Sequence, residues 1–284
     1  MARPVVVGID GSPESLAAAQ WACDEAGRRQ APVRLLHAWS VTTLMGPVTV
    51  EPDDPGKAAG LLLARTRDEL SAREPEAGID VRSVAGDPVT ALLDAAAAAD
   101  LIVLGSRGLG AVSGFLLGSV SSRVVARSRC PAVLIRGRRA AAEAGSEVVL
   151  GLKRPREPDE RALAFAFDAA ERRGLPLRVV HTWHVPLPPN PFQPLPAGAP
   201  EPGVAEASAL AEVLRPWRAD HPDVPVSETL LAGSAAQALV DAAADAALVV
   251  VGRGGRHGPG ARVGAVTHAL LHHARSPVAV VPPA

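Results

Sequence analysis

Two kinds of segment alternate along this chain. Short runs of consecutive apolar residues are separated by longer segments that are typical of helices. In the first half, the apolar runs predict strands at residues 5–9, 33–39, 80–84, 101–105 and 132–135. These runs lack a regular alternation of apolar and polar residues, which is expected when both faces of a sheet are covered.

The segments between these strands predict four helices. Ser12 followed by Pro13 is a helix start, with serine as the N-cap and proline at the first helical position. That helix should run to about Gln30. The other helices are predicted at residues 57–73, at residues 88–98 and from about Ser119. Five strands joined by four crossover helices indicate the α/β class, a doubly wound parallel sheet of flavodoxin-like size.

The second half repeats the first. Four pairs of segments correspond at an offset that grows from 143 to 147 residues and settles at 146: 5–15 with 148–158, 24–39 with 168–183, 85–105 with 232–252, and 130–135 with 276–281. The repeat predicts two homologous domains, at about residues 1–140 and 147–284, joined by a polar linker over 137–147. One continuous barrel of about ten strands is the alternative, and the linker counts against it.

Composition indicates which kind of core, which partners and which cellular compartment to expect. The 284 residues are 48% hydrophobic with four Phe, four Trp and no Tyr, so we expect Ala-rich helices packed on β-branched strands. The formal net charge of -1 argues against recruitment of nucleic acid or an anionic membrane by charge. Cys23 and Cys130 fit neither a disulfide framework nor a metal-ligand spacing, and the chain shows no signal-peptide pattern or long apolar run. We therefore expect a cytoplasmic protein without a membrane partner.

Residues 104–124 contain five glycines and five serines where a strand should give way to a helix. If the strand order is 3-2-1-4-5, this segment meets residues 8–12 at the point where strand order reverses, the usual ligand position in open α/β sheets. Glycines allow close backbone approach, and a helix starting at Gly118-Ser119 presents free amides to a phosphate. Asp10 would repel a phosphate, so it should face ribose or adenine donors, or a magnesium ion.

These residues predict a nucleotide site, although the glycines are also compatible with simple turns around a long loop. Neither the dinucleotide fingerprint nor the P-loop pattern is present, since no lysine follows Gly118. The spacing G-x2-G-x9-G-S, formed by Gly105, Gly108, Gly118 and Ser119 together with "VVVGIDGS" on the first strand, resembles the universal stress protein family in a tandem, bacterial form.

The resemblance implies ATP as the ligand, with magnesium bound through the phosphates rather than by protein side chains alone. It implies contacts from Asp10, Ala38, Gly105, Gly108, Gly118, Ser119, Val120 and Ser121. Gly8, Ile9, Gly11, Ser12 and Leu104 are expected neighbours, and Arg107 is expected to reach a terminal phosphate. It also implies the order 3-2-1-4-5 in each half and pairing of the two last strands about a pseudo-two-fold axis.

The second half departs from this pattern. Lys153 stands at the position of Asp10, Pro155 at that of Ser12, and Ala265 at that of Ser119, while only eight residues separate Gly255 from Gly264. Either this half binds a different anionic ligand or it is a degenerate copy that supplies a partner surface. We favour the degenerate copy, and therefore one ATP per chain.

Three functions remain open from the sequence. The first is an ATP-binding stress or regulatory module that presents different surfaces to unidentified protein partners. The second is a slow ATPase or phosphotransferase, which the motif does not favour because residues 105–121 contain no carboxylate or histidine to act as a base. The third is an interaction scaffold without nucleotide. We expect no efficient catalysis, no catalytic residue, and a homodimer of tandem chains.

Overall fold

The computed structural model describes residues 2–39, 54–106, 117–136, 145–183, 202–254 and 263–283. Strands and helices alternate in both halves. The first half contains β1 (Val5–Gly8), α1 (Pro13–Arg29), β2 (Val33–Trp39), α2 (Pro55–Ser71), β3 (Ile79–Ala85), α3 (Pro88–Ala97), β4 (Leu101–Gly105), α4 (Ser119–Arg127) and β5 (Ala132–Ile135).

The second half repeats this order. It contains β6 (Glu147–Gly151), α5 (Glu160–Arg173), β7 (Leu177–Trp183), α6 (Pro202–Asp220), β8 (Val226–Ala232), α7 (Ala235–Ala242), β9 (Ala246–Gly252), α8 (Ala265–His273) and β10 (Val278–Val281). The predicted α/β class and the tandem flavodoxin-like architecture are confirmed. Within the described ranges, each helix is too short or too polar to cross a membrane.

The helix starts follow from capping residues. The Ser12 hydroxyl accepts a hydrogen bond from the Ser15 amide at 3.2 Å, and Pro13 is the first residue of α1, as predicted. Helix α2 begins at Pro55, two residues before the predicted start, because Asp54 accepts from the Gly56 amide at 2.9 Å and caps the helix there.

The strands form one ten-stranded sheet in the order β3-β2-β1-β4-β5-β10-β9-β6-β7-β8. Each half is parallel and has the predicted order 3-2-1-4-5. Strands β5 and β10 pair antiparallel, with Val133 opposite Ala279, and so join the two halves. The predicted pairing of the last strands is confirmed. The ten strands are continuous but form an open sheet, so the barrel alternative is wrong.

Both faces of the sheet are covered by helices. Helices α1, α2, α5 and α6 pack on one face, and α3, α4, α7 and α8 pack on the other. Small residues allow close packing: Ala18 and Ala22 of α1 are fully buried against the strands. This two-sided burial explains why the strands are continuous apolar runs.

A buried ion cluster joins α1 to α5. The Glu25 carboxylate is fully buried and accepts hydrogen bonds from Arg29 of its own helix and Arg173 of the other half. Arg29 also donates to Asp100 at 2.9 Å and lies 3.5 Å from Asp168. The two halves are therefore connected by charge as well as by strand pairing.

Candidate functional site

The predicted site lies at the carboxyl ends of β1 and β4. Strand β1 pairs with β2 on one side and β4 on the other, so the strand order reverses between β1 and β4. The chain leaves the sheet toward opposite faces on the two sides of this point, which opens a crevice beyond the strand ends. Residues 8–12 and residues 104–106 border that crevice.

The turn after β1 holds Asp10 in a fixed position. Gly11 has φ = 82°, a conformation that favours glycine. The Asp10 carboxylate accepts hydrogen bonds from the Ser12 amide at 3.0 Å and from the Ser12 hydroxyl at 2.6 Å. Because Ser12 also caps α1, the carboxylate is tied to the start of that helix. A carboxylate that is already oriented loses little freedom when it binds a polar group of a ligand.

The end of β4 has no room for a side chain. A Cβ atom on Gly105 would lie 2.8 Å from the backbone carbon of Glu14 and 2.9 Å from the Ser15 nitrogen. On Gly8 it would lie 2.7 Å from a methyl group of Leu104. The first turn of α1 therefore packs directly on the Gly105 backbone, which brings the two segments of the predicted site together.

Helix α4 starts with amides that no side chain caps. Gly118 is the N-cap residue and makes no side-chain cap hydrogen bond, and its amide donates to the Ser106 carbonyl at 2.8 Å. The equivalent helix α8 also starts at a glycine, Gly264, without a side-chain cap. By contrast, five helices of the described chain have a side chain bonded to their first turn: Ser12, Asp54, Asp87, Asp159 and Ser234. Uncapped amides at a helix N-terminus are suited to bind an anion.

The predicted hydroxyl groups differ in their surroundings. Ser119 is exposed in the first turn of α4. Ser121 is buried, and its hydroxyl donates to the Gly105 carbonyl at 2.8 Å, so it anchors α4 to the end of β4. Ser106, which the sequence analysis did not select, has a buried hydroxyl with no hydrogen-bond partner in the described residues. Its place directly after the first motif glycine was the signal that could have identified it.

Four predicted site residues place their side chains mainly in packing contacts. Ile9 and Leu104 are buried in the two hydrophobic cores, and Ala38 and Val120 are partly buried against one of them. These residues can offer a ligand their backbone groups or a small apolar surface. Arg107 and Gly108 lie outside the described residues, as do residues 109–116.

Equivalent histidines lie near the end of the second strand of each half. Nδ1 of His37 donates to the Ile9 carbonyl at 2.6 Å, and Nδ1 of His181 donates to the Leu152 carbonyl at 2.8 Å. Both histidines are therefore hydrogen-bonded within the fold. The bond holds the ends of β1 and β2 together beside Asp10, and the ends of β6 and β7 together in the second half.

The equivalent crevice of the second half is built differently. Helix α5 begins at Glu160 with Asp159 as its cap, four residues after the position that matches Ser12. As a result, a Cβ atom on Gly252 would lie 2.5 Å from a carboxylate oxygen of Asp159. A negative charge therefore sits against the first glycine of the second motif, where the first half has the backbone of Glu14 and Ser15. Within the described residues, no group of three His, Cys, Asp or Glu side chains could hold a metal ion.

Comparison with known proteins agrees with the repeat. The model of the universal stress protein family matches residues 1–136 and again residues 147–282. A universal stress protein of Mycobacterium tuberculosis is 35% identical over 290 residues, which covers 97% of this chain and 96% of the relative. A second, from Mycolicibacterium smegmatis, is 33% identical over 292 residues, with 98% and 97% covered.

The fold is also shared over the full length. The crystal structure of a universal stress protein from Archaeoglobus fulgidus matches 98% of each chain with a TM-score of 0.72 at 19% identity. The two matches to one family model, together with relatives that align from end to end, show that this chain belongs to the universal stress protein family.

Proposed function

We propose that the first half binds ATP and that the chain acts as a stress or regulatory module rather than as an efficient catalyst. The observation that carries this proposal is the uncapped N-terminus of α4, which lies beside the Gly105–Ser106 backbone at the point where strand order reverses. In this proposal the triphosphate lies over the amides of Ser119, Val120 and Ser121.

The adenosine end is assigned to the β1 side of the crevice. Asp10 cannot face phosphate, because two negative charges would repel each other in a partly buried site. Its carboxylate, fixed by Ser12, is suited to accept hydrogen bonds from ribose hydroxyls. Ala38 at the end of β2 is only partly buried and offers a small apolar contact next to this position.

The phosphate end combines close backbone approach with hydroxyl donors. Gly105 leaves no space for a Cβ atom, Ser119 is exposed, and the Ser106 hydroxyl is without a partner in the described residues. These groups fit a polyanion. When bound, magnesium would neutralise phosphate charge, and it would be held through the phosphate oxygens rather than by a set of protein ligands.

The same residues support binding more than catalysis. Phosphoryl transfer needs a group that activates the attacking oxygen near the γ-phosphate. Residues 105–121 contain glycine, serine, arginine and apolar residues and lack any carboxylate or histidine. Asp10, the carboxylate of the other segment of the site (residues 8–12), is hydrogen-bonded to Ser12.

A stoichiometry measurement tests the proposal. Protein purified without added nucleotide is denatured, the released nucleotide is quantified, and ATP is then titrated calorimetrically into nucleotide-free protein. We expect one ATP per chain. Asp10→Ala should weaken ATP binding by tenfold or more, and Lys153→Ala, at the equivalent position of the second half, should leave the affinity unchanged.

The possible outcomes separate the candidate functions. No released nucleotide and no measurable affinity for ATP would overturn the proposal in favour of a scaffold. Two ATP per chain would overturn the single-site assignment. Saturable hydrolysis at about 1 s⁻¹ or faster would identify an enzyme instead of a regulatory module.

A further inference from the structure

An arginine of the second half contacts the C-terminal end of α4, the helix that the proposed function places at the phosphates. Arg253 follows β9 directly. Its Nη1 atom donates to the Ser128 carbonyl at 2.6 Å and to the Val125 carbonyl at 3.2 Å. Both carbonyls belong to the C-terminal end of α4, where the last carbonyls of a helix have no partner within the helix.

Helix α4 depends on such outside contacts. It has only nine residues, and a helix of this length is not stable by itself in water. Its C-cap residue, Ser128, is buried, and the Ser128 hydroxyl donates to the Cys130 carbonyl at 2.7 Å. A guanidinium at this end also complements the negative end of the helix dipole.

The strand pairing explains why Arg253 reaches this helix. Because β5 and β10 are antiparallel, the carboxyl end of β9 lies beside the chain that leads from α4 into β5. The Arg253 amide donates to the Val281 carbonyl at 2.7 Å, which fixes its backbone to β10. In the opposite direction, Arg136, which follows β5, donates to the His272 carbonyl at the end of α8.

The first half has a serine, not an arginine, at the position that matches Arg253. Arg253 directly follows the first glycine of the second motif, and the matching residue of the first half is Ser106. Burial, with a smaller effect from the nearby positive charge of Arg161, lowers the pKa of Arg253. An arginine side chain remains cationic at neutral pH even so.

From this geometry we propose that Arg253 is a positioning residue for the ATP site, supplied by the second half to hold α4 in place. This inference rests on the proposed function and adds a role for the second half. The N-terminal amides of α4 would face the phosphates, and the C-terminal carbonyls are bonded to Arg253. Since coupling between two sites is reciprocal, ATP should also strengthen the contact between the halves.

Hydrogen exchange and calorimetry on the full chain test this inference. In ATP-free protein, Arg253→Gln should speed the exchange of the α4 amides at residues 123–128 about tenfold, because the helix opens locally more often. The dissociation constant for ATP should rise about three- to tenfold, the range expected for a residue that acts through an intermediate element. In Arg253→Lys, which keeps a cationic donor, both the exchange rates and the dissociation constant should lie between those of the wild type and those of Arg253→Gln.

Arg172→Gln is the matched control. Arg172 also donates to a backbone carbonyl across the halves, that of Arg28 at 3.1 Å, but at α1 rather than α4. It should change neither α4 exchange nor ATP affinity. If α4 exchange and the dissociation constant for ATP in Arg253→Gln both equal the wild-type values, the inference is overturned. Equal effects of Arg253→Gln and Arg172→Gln would also overturn it.

A wild-type protein that binds no ATP would overturn the proposed function and, with it, the nucleotide part of this inference. The exchange measurement does not depend on nucleotide. It would then still decide whether Arg253 orders α4, and unchanged exchange in Arg253→Gln would overturn that part as well.

Discussion

Glu25 in the first half and Arg173 in the second form a hydrogen-bonded ion pair with almost no exposure to solvent. Arg29, the residue of the first half that matches Arg173 in the repeat, binds the same carboxylate. Burial lowers the pKa of Arg173, whereas for Arg29 the effect of Glu25, together with Asp168 and Asp100, outweighs burial and raises the pKa. The buried Glu25 carboxylate is therefore the shared hydrogen-bond acceptor of two equivalent arginines, one from each half.

Removal of this charge should destabilise the whole chain. Glu25→Gln leaves two buried guanidinium groups without their shared counter-charge, and we expect a loss of about 3–5 kcal/mol in the free energy of unfolding. Urea unfolding followed by circular dichroism measures it. Glu171→Gln, which removes an exposed carboxylate bonded to His221, should cost under about 1 kcal/mol. Equal costs for the two variants would contradict the role assigned to Glu25.

A side chain at the end of β4 should disturb the ATP site. In Gly105→Ala the added methyl group meets the backbone of Glu14 and Ser15, so α1 and β4 must separate. We expect a loss of about 1–3 kcal/mol and weaker ATP binding. Gly60→Ala is the control: nothing lies within 4 Å of its added carbon, and alanine should stabilise α2 by about 0.5–1 kcal/mol. Thermal unfolding should give a lower midpoint for Gly105→Ala and a higher midpoint for Gly60→Ala than for the wild type.

The second half should stay free of ATP even when its local charge is removed. Asp159→Ser keeps a capping side chain and removes the carboxylate beside Gly252, whereas Asp159→Ala removes both and should cost about 1 kcal/mol. Calorimetry should give one ATP per chain for either variant, because Lys153 and Ala265 remain. A second bound ATP in Asp159→Ser would show that this carboxylate alone excludes the nucleotide.

Both cysteines should react slowly in the folded protein. Burial, together with Asp24 and Glu74, raises the pKa of Cys23 to about 11, and burial raises the pKa of Cys130. At pH 8 about one Cys23 thiol in a thousand would be ionised. Modification by an aromatic disulfide reagent should therefore take hours in buffer. In about 6 M guanidinium, where the unfolded chain exposes both thiols, it should take seconds. Single-thiol variants, Cys23→Ala and Cys130→Ala, assign the two rates.

The same pKa shift predicts a pH dependence of stability. Cys23 keeps its proton in the folded state up to about pH 11, from a reference value of 9.0. The contribution of Cys23 to the free energy of unfolding is complete below about pH 9 and is lost as the pH rises toward about 11. The urea midpoint should fall between pH 8.5 and about pH 10.5, and less so in Cys23→Ala. An equal fall in both proteins would argue against burial of the Cys23 thiol.

Local signals in the sequence predicted most of the fold. Ser12-Pro13 marked the start of α1, and the repeat of residues 24–39 at 168–183 revealed the two halves. The pairing of β5 with β10 came from the family resemblance rather than from any local pattern. Capping and apolar runs act over a few residues, so the sequence displays them directly.

The features that were missed depend on contacts between distant residues. Glu25 looks like an ordinary helix-surface charge until α5 packs beside it, 148 residues away in the chain at Arg173. Arg253 looks like part of a degenerate loop, yet its carbonyl partner Ser128 is 125 residues away. Helix α5 starts late because Pro155, at the position of Ser12, has no side-chain oxygen to accept an amide hydrogen bond, whereas Asp159 has one.

The antiparallel pair at the middle of the sheet also limits how the chain can associate with others. Strands β5 and β10 are fully buried and satisfy each other's backbone groups, so neither offers an edge to a further strand. The outer strands β3 and β8 bear the charged residues Asp80 and Glu228, which pair with Arg34 of β2 and Arg218 of α6. Charges at a sheet edge oppose strand addition. The dimer of tandem chains that we expect would therefore be held by helix surfaces, and its formation would leave the sheet at ten strands per chain.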